Sequence, residues 1–330
     1  MTNSNLSTLL SVGLLTGLLF ASGCDGGADG KVTLSLPHVL PSEHPVSKAI
    51  LKFAEEVATR SEGKIVVKVF DGGTLGSEQE LVDNVSSGTN DMTKVSTAVL
   101  ETKTELAKVY SLPYLFRDGE HMWKVLDGDV GKELLDMAVD KGLKGICYFD
   151  SGTRSFYTKA KNLDSPADLS GLKIRVQKSE AMENLMATLG ALPQQISYGE
   201  LFTAMDTGVV DGAENNIPSY YTSSHYKVAN HYTFDEHVAV PDILVMSLET
   251  WDRLDDGQRK IVLEAAEVAK NFQRELWAKV RQEYIAKMEA AGVKFTRPDK
   301  TSFVEKTAKI YDTFKGSKVM QYVDRIRAVK

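Results

Sequence analysis

Residues 256–291 read DGQRKIVLEAAEVAKNFQRELWAKVRQEYIAKMEAA, with apolar side chains at Ile261, Ala265, Val268, Phe272, Leu276, Val280, Tyr284 and Met288. Steps of three to four are the repeat of one helix face, and no Gly or Pro follows Gly257 to break it. At about 1.5 Å of rise per residue, a continuous helix here runs roughly 50 Å, more than the diameter of a small domain. Such a helix has to touch two bodies, so the chain is expected to form two lobes that share it. The length of 330 residues agrees, since single hydrophobic cores stop growing near ~250–300 residues.

Upstream of that helix the pattern alternates between periods of two and of 3.6. Val32, Leu34 and Leu36 alternate with polar residues as a strand does, and Val46, Ala49, Ile50, Phe53, Ala54 and Val57 recur at helical spacing up to Gly63. A strand at 65–70 completes a β-α-β unit. Further helices are expected at 79–87, 97–108 and within 120–139, with strands at 91–96 and 144–149. Ser151-Gly152-Thr153 then reads as a crossing into a second lobe, with strands at 155–158 and 173–176 and helices near 180–189 and 198–207. The fold class is α/β with largely parallel sheets. Residues 31–151 and about 241–280 are assigned to the first lobe, and 152–240 and about 281–330 to the second.

The N-terminus stands apart. Leu9 to Phe20 is an apolar run too short to span a bilayer but suited to the core of an export signal, followed by Ala21-Ser22-Gly23. Cys24 directly after Gly23 points to a lipoprotein site, where the thiol is acylated and becomes the mature N-terminus; ordinary signal cleavage is the alternative. No Lys or Arg precedes the apolar core, and Ala21 stands where Leu is more usual. Residues 25–30 are rich in Gly and Asp, as a flexible tether is. The protein is therefore expected in the periplasm, anchored or free. Cys147 is the one other cysteine, which excludes an intramolecular disulfide in the mature chain and suggests a small core residue. The formal net charge of −6 argues against nucleic acid as a partner.

Motifs of an enzyme are absent: no His-Glu-x-x-His, Gly-x-Ser-x-Gly, P-loop or Gly-x-Gly-x-x-Gly occurs. No cofactor or metal is implied. His225, His231 and His237 are spaced by six, which suits neither one helix face nor neighbouring metal ligands. His38 and His44 fall where the first strand gives way to the first helix, the end of an open α/β sheet that faces a ligand crevice. Each is weighed as a ligand contact against simple packing.

Arg154 and Arg175 matter most, because a planar guanidinium grips a carboxylate through two parallel charged hydrogen bonds. Arg175 lies inside the strand Leu172-Lys173-Ile174-Arg175-Val176-Gln177, where alternation puts Ile174 and Val176 on one face and Lys173, Arg175 and Gln177 on the other. A solvated strand face with a surface ion pair is the plain alternative.

That strand after Asp168-Leu169-Ser170-Gly171, followed by Gly208-Val209-Val210-Asp211-Gly212-Ala213-Glu214-Asn215-Asn216, resembles the substrate-binding component of tripartite ATP-independent periplasmic (TRAP) transporters. His44-Pro45, Leu75-Gly76-Ser77-Glu78, Leu112-Pro113-Tyr114-Leu115-Phe116 and Tyr198-Gly199-Glu200-Leu201-Phe202-Thr203-Ala204 extend the likeness, which covers about residues 32–315. The resemblance implies a two-lobed periplasmic binding protein fold that closes like a clamshell on an organic acid, with the long helix crossing both lobes. It implies that Arg175 binds the carboxylate with help from Arg154 and Asn215, that Tyr198 lies beside the ligand, and that small and large membrane permease subunits are the partners.

The opposite wall is expected to set substrate size. Glu78 enters a helix after Gly76-Ser77, either as a partner of the helix dipole or as an acceptor for hydroxyls. Lys94 is a charge in an otherwise apolar strand and needs a partner, for which a ligand group is one choice. The Lys94 segment, Asn215-Asn216 and Asp235-Glu236-His237 before Pro241 resemble the branch of the family that takes sugar acids: uronates, aldonates and keto-gulonates. Asn216 and His237 join the expected contacts on that basis, and His44 joins them from its place at the end of the first strand. A C4-dicarboxylate or keto-acid binder is the nearest rival; a secreted enzyme acting on sugar acids, a chemoreceptor accessory or an adhesin are remote ones.

Overall fold

The structure is a computed structural model and describes residues 31–330. The export signal, Cys24 and the tether expected above lie outside the described residues.

β1 (Val32–Pro37) runs into α1 (Pro45–Arg60), which His44 caps by accepting the Val46 N–H on Nδ1 at 3.2 Å. Pro45 at the first helical position suits it, since its missing N–H would have no helical partner. β2 (Ile65–Phe70) lies parallel to β1. α2 (Glu78–Ser86) opens on a capping box between Ser77 and Glu80. β3 (Met92–Ser96) is buried throughout, and α3 (Thr97–Leu100) stops after one turn rather than reaching residue 108. Thr102 turns its hydroxyl back onto the Val99 carbonyl and Thr104 is extended, so only a 3-10 segment, Glu105–Ser111, follows.

The single helix expected within 120–139 is two, α4 (Gly119–Asp127) and α5 (Asp129–Leu135). Gly128 breaks it in an extended conformation, and a Cβ there would come within 2.8 Å of the Lys124 carbonyl oxygen. β4 (Leu143–Phe149) ends the first pass through this lobe.

The second lobe holds β5 (Arg154–Thr158), β6 (Lys173–Val176), α6 (Glu180–Leu189), β7 (Leu192–Gln195), α7 (Leu201–Asp206), β8 (Gly212–Asn215), α8 (Ile217–Thr222) and β9 (His231–Val238). The chain then returns through β10 (Asp242–Ser247) and α9 (Leu248–Arg253) to α10 (Asp256–Ala290), followed by β11 (Lys294–Thr296), α11 (Thr301–Thr307) and α12 (Lys318–Ala328).

Strand orders are β1-β2, β3-β10-β4 and β11-β9-β5-β8-β6-β7. The first sheet is parallel, the second pairs only antiparallel and the third is mixed, so the sheets are not largely parallel. β10 runs antiparallel to β3 and β4, and β5 antiparallel to β8 and β9. The reason is topological: β4 to β5 and β9 to β10 are two crossings between lobes in opposite directions, and each lies beside the other in both sheets.

Core residues follow strand alternation. In β10, Ile243 and Val245 join the core beneath α4, α5 and α12, whereas Leu244 and Met246 join the one beneath α1 and α10. In β5, Phe156 and Tyr157 divide likewise between the two faces of the second lobe. α10 belongs to both lobes: Val262, Ala265, Ala266, Ala269 and Trp277 sit in one core and Val280, Tyr284, Ile285 and Met288 in the other. At the crossing, Gln273 of α10 accepts the Asp150 N–H and donates to the Asp150 carbonyl, both at 2.8 Å.

One assignment needs correcting. The C-terminal helix, grouped by sequence with the second lobe, packs on the first, because Val319, Tyr322, Val323 and Ile326 of α12 form a stripe that buries beside α4 and α5. Arg325 and Tyr322 both bond Glu133 of α5. Cys147 is a buried free thiol of β4, and burial pushes it up to about 12.

Candidate ligand-binding cleft

The strand ends that carry Arg175 and the helix start that carries Glu78 meet across a cavity of about 430 Å³, lined also by Gln177, Lys178, Ser197 and Tyr198. Arg175 is there because Ile174 and Val176 of β6 anchor the strand in the core, which turns the residue between them the other way. Its guanidinium is buried, and Nε donates to the Ile196 carbonyl at 2.8 Å. Nη1 has no partner, and no carboxylate pairs with Arg175 among the described residues. Burial without a counter-charge pulls its pKa below the usual arginine value. A buried guanidinium with an idle N–H is a cost to the empty protein that an incoming carboxylate removes.

Arg154, at the first position of β5, is in the opposite condition. Nε and Nη2 donate to the Glu214 carboxylate at 2.5 and 2.7 Å, Nη2 to the Glu214 carbonyl at 2.8 Å, and Nη1 to Asn215 Oδ1 at 2.8 Å. A guanidinium has five N–H groups, so one of Nη1 remains. Glu214 is held low, to about 2, by Arg154 and His237 against the effect of burial. His237 donates from Nδ1 to Asp235 at 2.8 Å, with Nε2 3.6 Å from Glu214; these two carboxylates raise it to about 9 despite burial. His237 thus sits behind Arg154 as part of a buried ionic row, not on the cavity wall.

The other expected residues divide in the same way. Tyr198 lines the cavity and bonds Ser223 Oγ at 2.6 Å. Asn215 uses Oδ1 twice, for Arg154 and for the Asn216 N–H, and its Nδ2 has no protein partner among the described residues. Asn216 is the cap of α8, accepting the Ser219 N–H at 2.8 Å. His44 spends both ring nitrogens: since Nδ1 accepts from Val46, Nε2 carries the proton and donates to Ser219 Oγ at 3.1 Å. That bond ties the first lobe to the second. Burial holds His44 well below its usual value and therefore neutral.

Lys94 finds its partner in the protein, with Nζ 2.7 Å from Glu78 Oε1 and 3.3 Å from Asp242 Oδ1. Glu78 Oε1 also accepts the Ser96 N–H at 3.1 Å, whereas Oε2 takes no protein hydrogen bond among the described residues. His38 is fully buried with neither ring nitrogen partnered, and burial next to Lys94 pushes it down to about 3.

Sequence reasoning missed Glu214, Asp242, Gln177 and Ser219. Gln177 was legible as the residue two beyond Arg175 on the same strand face; it accepts Ser96 Oγ at 3.3 Å, a second bond between lobes. Glu214 stood in the motif that carries the resemblance but without a role, and Asp242 carried no local signal, because each role is recognised only by the distant cation it pairs with. Among the described residues no cluster of His, Cys, Asp and Glu is arranged to hold a metal ion.

Residues 36–317 match the family described as bacterial extracellular solute-binding protein, family 7. A TRAP periplasmic solute-binding protein from Xanthobacter autotrophicus, solved with β-D-galacturonate bound, is 35% identical, with 90% of this chain and 100% of that one covered and a TM-score of 0.87. One from Roseobacter denitrificans with β-D-glucuronate is 34% identical, with the same shares covered and a TM-score of 0.88. A solute-binding protein of Chromohalobacter salexigens is 35% identical over 84% of this chain and 83% of its own. With two lobes hinged on a shared helix, a cleft that holds an unpaired guanidinium, and these likenesses over most of its length, the chain belongs to the family 7 extracellular solute-binding proteins, the binding components of TRAP transporters.

Proposed function

We propose that this protein captures one sugar-acid anion, a hexuronate such as glucuronate or galacturonate or a related aldonate or keto-gulonate, and delivers it unchanged to the small and large membrane subunits of its transporter. The observation that carries this reading is Arg175, buried, cationic and without a counter-charge among the described residues. In the proposal it takes the ligand carboxylate, assisted by the remaining Nη1 hydrogen of Arg154 and the amide of Asn215. Glu78 Oε2 accepts from a hydroxyl, and the Tyr198 ring covers the C–H face of the sugar. Lys94, His44, Asn216 and His237 hold these groups in place from behind.

Closure follows from the bonds that join the lobes. His44 to Ser219 and Ser96 to Gln177 form only when the two walls meet, so a ligand that bridges the walls shifts the protein toward the closed state. Export through residues 1–24 to the periplasm, with acylation at Cys24, is part of the same proposal, and intact mass of membrane-extracted protein checks it.

A thermal-shift panel of hexuronates, aldonates, C4-dicarboxylates, keto acids and amino acids tests the reading, because a ligand that binds only the folded state raises Tm. A selective shift with sugar acids, recovered intact after long incubation, is the expected result. A shift confined to dicarboxylates or keto acids replaces the substrate class, and a ligand recovered chemically altered replaces the transport role.

A further inference from the structure

The buried cations in and behind the walls of this cleft are nearly all committed within the protein. Arg154 is paired with Glu214, His237 lies between Asp235 and Glu214, and Lys94 is shared by Glu78 and Asp242. Among the buried cations of the described residues, Arg175 alone has no carboxylate.

The wall facing it has a surplus of carboxylates. Glu78 lines the same cavity as Arg175, and behind it one ammonium serves two acids. Counting Lys94, Glu78 and Asp242 gives a net charge of −1 with Asp242 ionised and zero with Asp242 protonated. In neither state is a positive charge left over. His38 and His44, both close enough to Lys94 to be affected by its charge, are held neutral and add none. The one other cation on the cavity wall, Lys178, is exposed, follows Gln177 on the Arg175 side and is close enough to Asp83 of α2 to lower its carboxyl.

We propose that the Lys94–Glu78–Asp242 cluster is a charge filter, which admits acids with one carboxylate, gripped by Arg175, and rejects those with a second carboxylate at the opposite end. The inference rests on the sugar-acid reading above and supplies its selectivity. A hydroxyl reaching this wall donates to Glu78 Oε2. A carboxylate in the same position loses its water beside one or two like charges and finds no uncommitted buried cation on this wall, the kind of built-in repulsion that separates similar ligands.

D-glucuronate and D-glucarate share a six-carbon skeleton and differ in whether the far end is a carboxylate; D-gluconate, an open chain with one carboxylate, separates charge from ring opening. Calorimetric titration of the protein with the three acids is expected to show glucarate weaker than glucuronate by about 100-fold or more, and weaker than gluconate by about tenfold. In Glu78→Gln and in Asp242→Asn the glucuronate-to-glucarate ratio should shrink about tenfold, with wild-type Tm as the check on folding. Wild-type protein that binds glucarate as well as glucuronate overturns the filter, as does a ratio that neither folded variant moves or an equal loss of both acids in both. In those cases tight glucuronate binding by the wild type leaves the sugar-acid reading standing. Wild-type protein that binds none of the three, and neither galacturonate nor a keto-gulonate, overturns that reading and the filter with it.

Discussion

Arg154 and Arg175 lie on strands of one sheet, are buried to the same degree, and were both expected to hold a ligand carboxylate; among the described residues only Arg175 lacks a counter-ion. Arg154 already has its carboxylate in Glu214, with Asn215 and a carbonyl completing its bonds. Arg175 has one carbonyl and an idle Nη1. The difference teaches that burial of a charge says little by itself. A buried cation with its counter-ion inside the chain is part of the fold, and one without is a vacancy for a ligand's charge.

The sharpest way to break that comparison is to remove each arginine and measure both stability and binding. Arg154→Ala leaves the fully buried Glu214 without its main partner, and the expected loss of folding stability by urea denaturation is about 3–5 kcal/mol. Removing both charges in Arg154→Met with Glu214→Leu should restore much of it, since an apolar pair carries no desolvation cost. If Arg154→Ala is as stable as wild type, the assignment of Arg154 to the fold is wrong.

Arg175→Ala should behave in reverse. Ligand-free stability is expected to stay within about 1 kcal/mol of wild type, because the desolvation cost of an unpaired charge goes with the side chain. Sugar-acid binding by calorimetry should fall by about 2–3 kcal/mol, the cost of a carboxylate enclosed without its partner. Wild-type affinity in this variant ends the proposed role of Arg175.

How far sequence reasoning reached depends on whether the signal was local. The strand 173–176 was legible because Ile174 and Val176 bury by simple alternation, and the same alternation exposed Arg175 and Gln177 as a facing pair. The length of α10 was legible from its unbroken helical period, but its buried face was not. Phe272, placed on the apolar stripe, is 38% exposed, while the neighbouring Gln273 is fully buried. Gln273 earns that position through two hydrogen bonds to the backbone of Asp150, 123 residues away in the chain, which no hydrophobic pattern reveals. The site shows the same limit. A lysine in the buried strand β3 announced the need for a partner, but that the partners are Glu78 and Asp242 follows from packing across 16 and 148 residues. The choice between the two arginines likewise depended on Glu214, 60 residues beyond Arg154.

A smaller effect sharpens the contrast by titrating what stands behind Arg154. Asp235 and Glu214 raise His237 from its ordinary 6.5 to about 9 in the folded protein. A group whose folded pKa is raised contributes its full stability below the unfolded value and loses it as pH rises through the folded one. Stability should therefore decline between pH 6.5 and about 9, by no more than about 3 kcal/mol. His237→Gln should flatten the profile in that window, because it removes the titrating ring while keeping a hydrogen-bond donor toward Asp235. Among the described residues no carboxylate or histidine is hydrogen-bonded or salt-bridged to Arg175, so sugar-acid affinity per folded molecule should stay level over the same range. Affinity that falls in step with stability would mean that the ionic row behind Arg154 also sets the charge seen by the ligand.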